Sequence, residues 1–192
     1  CWEWFHRTRE TEFAPLGDMA PHASQVGAWI TAESPDEVGI RFVGNILGQG
    51  IVHDRDGVAR YLALAGDDVR LAPRIRSLAH HHAGMAAIAS EEFAQARRLL
   101  RAALVGGEEV DGTIQHTCFY LAFACHHLEM PDEALEAVQR CREASGRIAY
   151  HNMVLHCLRF EGEIQRLRGE TDAALELQRR ALALAREVGE PV

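Results

Sequence analysis

The sequence predicts an all-α protein, an α-solenoid of about five antiparallel helix pairs. Three observations predict this fold. Apolar residues recur at helical spacing, strand-like alternation of apolar and polar residues is absent, and a pattern of small residues returns at intervals of 37, 38 and 40 residues. The chain has 192 residues, of which 47% are hydrophobic and 25% are charged, so it can bury a core. We expect one repeat domain over residues 1–192.

The repeat consists of small residues at two fixed offsets. One small residue precedes a second by twelve positions, and a third follows the second by seven. The copies that fit are Gly84, Ala96 and Ala103; Ala122, Ala134 and Cys141; and Gly162, Ala174 and Ala181, with Ala59 and Gly66 as a looser fourth. A larger side chain at such positions would push helix axes apart from their spacing of ~8–10 Å, so the offsets indicate close helix packing.

Ten helices follow from the periodicity. The predicted pairs are 2–13 with 21–32, 35–53 with 56–66, 73–89 with 91–105, 112–128 with 131–144, and 149–168 with 171–187. Proline and capping residues indicate the starts, at Ser34-Pro35, Pro73, Ser90, Pro131 and Thr171. Glycine-containing pairs and a single glycine indicate ends, at Gly106-Gly107, Ser145-Gly146 and Gly169.

Composition excludes several classes of function. The formal net charge is -8 and every cationic residue is arginine, so we expect no direct nucleic-acid contact from this segment. No apolar run approaches the ~18 residues of a membrane span, so no membrane role is predicted. Five cysteines without a CxxC motif indicate free thiols and a cytoplasmic protein. The chain begins with Cys1 and not methionine, and we expect it to be part of a longer protein.

Histidine is abundant, but its spacing does not predict a metal site. His80–His82 are consecutive, and consecutive helical side chains point about 100° apart, whereas metal-binding pairs on a helix stand four residues apart. His126-His127 point away from Cys125 for the same reason, so a Cys/His nucleophile is not indicated. Glu161 and Glu163 lie on helix stretches that look exposed, without the burial that acid–base catalysis needs. We predict no cofactor, no metal and no enzyme.

The small-residue spacing resembles the tetratricopeptide repeat. The resemblance is good over residues 73–187 and poor over 1–66, and the period exceeds the ~34 residues of that family. Glu161 and Gln165 also stand where the family has apolar residues. The resemblance implies a superhelix whose first helices line a concave groove. The groove positions carried over to this chain are His81, Met85, His116, Phe119, Phe123, His126, His156, Arg159, Glu163 and Arg166.

The implied groove changes from aromatic to charged along the array. Phe119 and Phe123 would stack a flat small molecule, and Arg159 and Arg166 would bind the carboxylates of a peptide. The alternative is that some of these aromatic rings pack between helices. His80 is expected to face the core and His81 the inner surface.

The phrase LQRRALALAREVGEP and the long period resemble the repeat arrays of large bacterial regulators, such as LuxR-type ATP-binding activators and antibiotic-pathway regulators. That resemblance implies a non-enzymatic sensor or coupling module with a protein, peptide or small-molecule effector as partner. The alternative is a stand-alone scaffold that docks a peptide; a metal-dependent enzyme ranks last. Trp2 and Phe5 share a helical stripe that would favour a homodimer if it is exposed.

Overall fold

A computed structural model describes residues 40, 55–105 and 113–189 of the chain. These residues form seven helices and no strand, which confirms the all-α solenoid. The helices are α1 Arg55–Asp67, α2 Pro73–Ala89, α3 Phe93–Leu104, α4 Thr113–His127, α5 Pro131–Arg147, α6 His151–Leu167 and α7 Thr171–Val188. The predicted helices 2–13 and 21–32 and most of 35–53 lie outside the described residues, as do the predicted start at Ser34-Pro35 and the predicted end at Gly106-Gly107.

The seven described helices agree with the predicted bounds to within three residues at each end. Pro73 and Pro131 stand at helix starts as predicted. Two predicted N-caps are wrong, because Ser90 is the C-cap of α2 and Thr171 is already the first residue of α7. The residues that do precede α3 and α7, Glu92 and Glu170, make no side-chain capping hydrogen bond.

Each described helix packs against the next one along the chain, and α2, α4 and α6 also contact one another in turn. The helices α2, α4 and α6 therefore form one layer, called the first-helix layer below. The hairpins are α2 with α3, α4 with α5, and α6 with α7. One apolar core runs through α1 to α6, and a second cluster lies between α6 and α7.

The small residues sit where the two helices of a hairpin approach most closely. A Cβ atom added to Gly84 would lie 2.6 Å from Cγ of Leu100 and 3.5 Å from the carbonyl oxygen of Ala96. A Cβ atom on Gly162 would lie 3.5 Å from the carbonyl oxygen of Ala174. The twelve-residue offset therefore marks the crossing point of a hairpin, which is the packing explanation that the sequence indicated.

Four turns between helices share one backbone conformation. Glu91, Glu129, Ala149 and Gly169 have φ angles of 60°, 56°, 54° and 82°, and each stands two residues before a helix begins. The next residue donates its N–H to the carbonyl five positions back, as in Met130 to Cys125 at 2.9 Å. This is the hydrogen bond of a Schellman motif, which satisfies an orphan carbonyl at a helix end. Three of the four turns form without glycine.

Glu161 is buried, contrary to the exposure that the sequence suggested. Only 4% of its surface is accessible. Its carboxylate accepts hydrogen bonds from Nε of Arg142 and from Nε2 of Gln139, both at 3.0 Å, so the charge is paired across the α5–α6 contact. The family's apolar position is filled here by a satisfied ion pair between neighbouring hairpins.

Candidate binding surface

Aromatic rings join α4 to α6 within the first-helix layer. The ring of Phe160 on α6 lies 5.7 Å from the ring of Phe119 and 5.4 Å from the imidazole of His126, both on α4. Phe119 and His126 are seven residues apart, so they share one face of the helix. Phe119 and Phe160 are buried, whereas His126 is partly exposed. The rings therefore form an apolar floor with an imidazole at its edge.

A second group of rings joins α4 to α3. The imidazole of His127 stacks on Phe93 with a centroid distance of 4.2 Å and an angle of 4° between the planes. Phe123, one turn earlier, lies 4.5 Å from His127 and 6.2 Å from Phe93. Phe123 is buried and His127 is exposed. Phe123 therefore packs towards the preceding hairpin and leaves its ring face unavailable to a ligand.

His81 joins α2 to α4. Its Nδ1 atom lies 2.8 Å from the hydroxyl of Thr117, and its ring is 5.9 Å from the ring of Tyr120. Only 5% of His81 is exposed. The expectation that His81 faces an open inner surface is wrong for this structure, because α4 covers it. His80 packs on α1, where it would collide with any side chain at Gly66.

The exposed end of the layer is charged. On α6, Arg159 and Arg166 are exposed, and His156 and Glu163 are partly exposed. Nη2 of Arg166 lies 2.6 Å from Oε1 of Glu163, and its hydrogen bonds hold the pKa of that carboxyl below its ordinary value. The charge that His126 carries when it is protonated adds to the same shift. Residues 156, 159, 163 and 166 follow helical spacing and present one stripe.

Burial favours the neutral form of three histidines in this layer, His126, His127 and His156. Burial lowers the pKa of His156 to about 4, and the charge of Arg159 adds to the shift. Burial also lowers the pKa of His126 and of His127, although Glu163 opposes the shift for His126 and Glu91 opposes it for His127. At neutral pH these side chains offer hydrogen bonds and ring faces, and the arginines carry the positive charge.

The ten predicted groove residues divide into two sets. Four are buried in helix packing, at His81, Met85, Phe119 and Phe123. Six are partly or fully exposed and are called the first-helix face below: His116, His126, His156, Arg159, Glu163 and Arg166. The stacking of a flat ligand on Phe119 and Phe123 is therefore not possible in this structure. The alternative, that some of the aromatic rings pack between helices, is correct for Phe119 and Phe123.

The sequence reasoning missed three rings that complete the surface. Phe160 bridges Phe119 and His126, Tyr150 lies 6.0 Å from His116, and Phe93 stacks on His127. Phe160 is adjacent in sequence to a predicted groove position, Arg159, and a helical stripe two residues wide would have included it. Phe93 belongs to a second helix, where carried-over groove positions do not reach.

A cleft of about 460 Å³ opens between the second helices α3 and α5. Its floor includes Cys118 and Leu121 of α4, and its walls carry charges of both signs, among them Arg101, Glu136 and Arg140. Burial raises the pKa of Cys118 to about 12, so its thiol is protonated at neutral pH and is a poor nucleophile. Two wall carboxylates are already paired, Glu133 with Arg97 and Asp132 with Arg168. The cleft is therefore a surface recess with charged walls and without a reactive thiol.

The described residues offer neither a candidate metal site nor a candidate membrane span. Across residues 55–105 and 113–189, no three side chains of histidine, cysteine, aspartate or glutamate gather into a group that could hold a metal ion. None of the helices in those ranges combines the length and apolarity needed to cross a bilayer.

The part of the chain from α4 to α7 is similar to a known protein family. Residues 112–187 match the tetratricopeptide repeat family. The matched segment spans α4, α5, α6 and nearly all of α7, and it contains all six residues of the first-helix face. The matched segment contains two of the three copies in which both small-residue offsets are kept. No curated protein sequence matches the chain.

Two solved structures have a fold similar to that of this chain. A crystal structure of MamA has 14% identity, a TM-score of 0.65, and coverage of 92% of this chain and 98% of its own. A repeat structure from a Podosopora anserina putative kinesin light chain has 14% identity, a TM-score of 0.65, and coverage of 97% and 93%. At this level of identity the likeness establishes the helical-repeat fold alone. The resemblance to bacterial regulators is not among these matches.

Proposed function

We propose that this chain is a non-enzymatic protein-binding module that holds a peptide segment of its partner on the first-helix face. The observation that carries the proposal is the ring-floored contact of α4 with α6, edged by the His126 imidazole and by the charged stripe from Arg159 to Arg166. Tetratricopeptide-type folds present their first helices in this way, and residues 112–187 match that family.

The surface suits a peptide that carries carboxylates. Arg159 is exposed and stands one turn from Glu163, which is itself engaged by Arg166. An incoming carboxylate can pair with a guanidinium through charge-assisted hydrogen bonds, and His126 can donate or accept beside it. The buried rings beneath hold α4 and α6 in a fixed relative position. The surface is therefore formed before the peptide binds, and little conformational entropy is lost on binding.

A phage-displayed random peptide library tests this proposal directly. Peptides selected on the purified chain should bind Arg159→Ala about tenfold or more weakly, because a charge-assisted contact is worth about 1.5–3 kcal/mol. Arg180→Ala is the matched control, since Arg180 is an exposed arginine on α7. Helical content by circular dichroism should be equal in both variants. Peptides that lose affinity for the Arg180 variant and not for the Arg159 variant would contradict the proposal.

We further propose that the module is the sensor or coupling region of a cytoplasmic bacterial transcription regulator. This rests on the long repeat period, the exclusive use of arginine and the phrase LQRRALALAREVGEP. The test is the reading frame on both sides of the chain. Flanking ATP-binding and DNA-binding regions are expected, and flanks without them would favour a stand-alone scaffold that docks a peptide.

A further inference from the structure

Two cysteines meet inside the contact between neighbouring hairpins. The thiol of Cys157 on α6 donates a hydrogen bond to Sγ of Cys141 on α5, and the two sulfur atoms are 3.1 Å apart. Both residues are fully buried. Cys141 occupies the repeat position that holds alanine in the copies at Ala103 and Ala181, so packing alone does not require sulfur there.

We infer that Cys141 and Cys157 form an oxidisable dithiol, and that peroxide converts it into a disulfide that joins α5 to α6. A disulfide needs the sulfur atoms at about 2.05 Å, which the pair reaches by a movement of about 1 Å. The other two described cysteines are not placed for this. Cys118 and Cys125 are both on α4 and seven residues apart, and the structure gives neither of them a sulfur hydrogen bond to another cysteine.

The reaction balances with hydrogen peroxide as the oxidant. One thiol loses its proton and its sulfur attacks peroxide, so that an S–O bond forms, the O–O bond breaks, and the hydroxide released takes that proton to become water. The second sulfur then attacks the sulfenic sulfur. An S–S bond forms, the S–O bond breaks, and the departing hydroxide takes the second thiol proton as a second water. Two thiols are oxidised and one peroxide is reduced.

The placement of the pair governs both its rate and its product. The hydrogen-bonded contact between the two sulfur atoms, and then burial, raise the pKa of the Cys141 thiol well above its ordinary value, so thiolate is scarce and the first step is slow. Once one sulfur is oxidised, the second already lies in contact with it. The disulfide should therefore form before a second peroxide can produce sulfinic acid. The pair would respond to sustained oxidation and not to a brief pulse.

The link would act on α6, which carries four of the six residues of the first-helix face. Cys157 follows His156 on α6, and Cys141 lies on the second helix of the preceding hairpin. The disulfide would close a loop of fifteen intervening residues and restrict the α5–α6 contact, which Arg142 and Glu161 already span. Restriction of the α5–α6 contact would fix the position of α6 relative to α4.

Peroxide treatment of the whole chain, followed by denaturation, alkylation and intact mass measurement, tests the inference. Cys1→Ser is used as the background in every sample, so that Cys1 does not form intermolecular links. We expect a slow loss of two hydrogens, two thiols that no longer react with the alkylating agent, and a proteolytic peptide pair linking Cys141 to Cys157. Cys125→Ala is the matched control and should form the same link. Cys157→Ala should not form it.

Thermal melting provides a second measurement. The oxidised chain should melt about 5–10 °C higher than the reduced chain, as expected from the size of the loop. Sulfinic acid on one cysteine with no mass loss, or a link from Cys118 to Cys141, would overturn the inference. An oxidised form that melts lower than the reduced form would overturn it too, because the link would then distort the native contact.

Discussion

Nδ1 of His81 lies 2.8 Å from the hydroxyl oxygen of Thr117, and this contact joins α2 to α4. The hydroxyl of Thr117 has a single proton, and it donates that proton to the carbonyl oxygen of Thr113 at 2.8 Å. The hydroxyl can therefore only accept from His81, so the imidazole carries its proton on Nδ1. The first-helix layer thus holds a buried histidine whose Nδ1 acts as the hydrogen-bond donor.

Acid should destabilise the protein. Burial, together with the charges of His82 and His116, holds the pKa of His81 well below its ordinary 6.5. Below about pH 6.5 the unfolded chain binds a proton at His81 that the folded chain does not, so the free energy of unfolding falls by up to ~1.4 kcal/mol per pH unit for this residue. His80, His126, His127 and His156 also have lowered pKa values and act in the same direction.

Urea unfolding at about pH 7.5 and pH 5 measures this effect. His81→Gln keeps a donor for Thr117 and cannot titrate, so its loss of stability between the two pH values should be smaller than that of the parent. A parent protein that is equally stable at both pH values would contradict the assignment of a neutral buried His81.

A methyl group at Gly84 should destabilise the hairpin of α2 and α3. An added Cβ atom would lie 2.6 Å from Cγ and 2.7 Å from Cδ2 of Leu100, so Gly84→Ala should cost about 1–3 kcal/mol in the free energy of unfolding. Gly146→Ala is the control, because its added Cβ would meet no side chain and no other helix within 4 Å beyond its own chain neighbours. That variant should gain up to ~1 kcal/mol from helix propensity. Chemical unfolding of both variants checks the opposite signs.

Glycine at a left-handed turn should stabilise the protein. Glu129 has φ 56° and joins α4 to α5, a conformation that costs a residue with a Cβ atom about 1 kcal/mol. Glu129→Gly should therefore raise the melting temperature slightly, and Gly169→Ala, at φ 82°, should lower it by a similar amount. Equal melting of all three proteins would show that these turns are not held in the left-handed region.

Removal of one partner from the buried ion pair should be costly. Arg142→Leu leaves the Glu161 carboxylate with Gln139 as its remaining hydrogen-bond partner, and about 3 kcal/mol of stability should be lost. The double variant Arg142→Leu with Glu161→Leu should recover most of that loss, since no charge remains buried. A double variant that is less stable than Arg142→Leu alone would show that the pair itself contributes net stability.

The helices were predictable because helix packing leaves a local signature. Gly84 and Ala96 are small for the same reason, the close crossing of two helices, and twelve residues of sequence contain both. The turns were less predictable, because Glu129 and Ala149 adopt a left-handed conformation that their side chains do not favour. Ser90 resembles an N-cap in sequence and yet ends α2, since the left-handed Glu91 delays the start of α3.

The candidate surface was only partly predictable, because burial depends on the neighbouring helix. His81 and Phe119 stand on the side of their helices that the repeat assigns to a groove, and both are covered by an adjacent first helix. Glu161 looked exposed because its partner Arg142 is nineteen residues away in sequence. The exposure of Arg159 and Arg166 in the charged stripe was easier to predict, since a guanidinium on a long side chain remains at the surface when it has no buried partner.

Carbene footprinting of the chain bound to a library-selected peptide tests the binding surface most directly. Labelling of His126, Arg159, Glu163 and Arg166 should fall together on binding. Labelling of the exposed Leu175 and Arg180 on α7 should stay unchanged. Loss of labelling on α7, or at the cleft between α3 and α5, with no change on the first-helix face, would contradict the account.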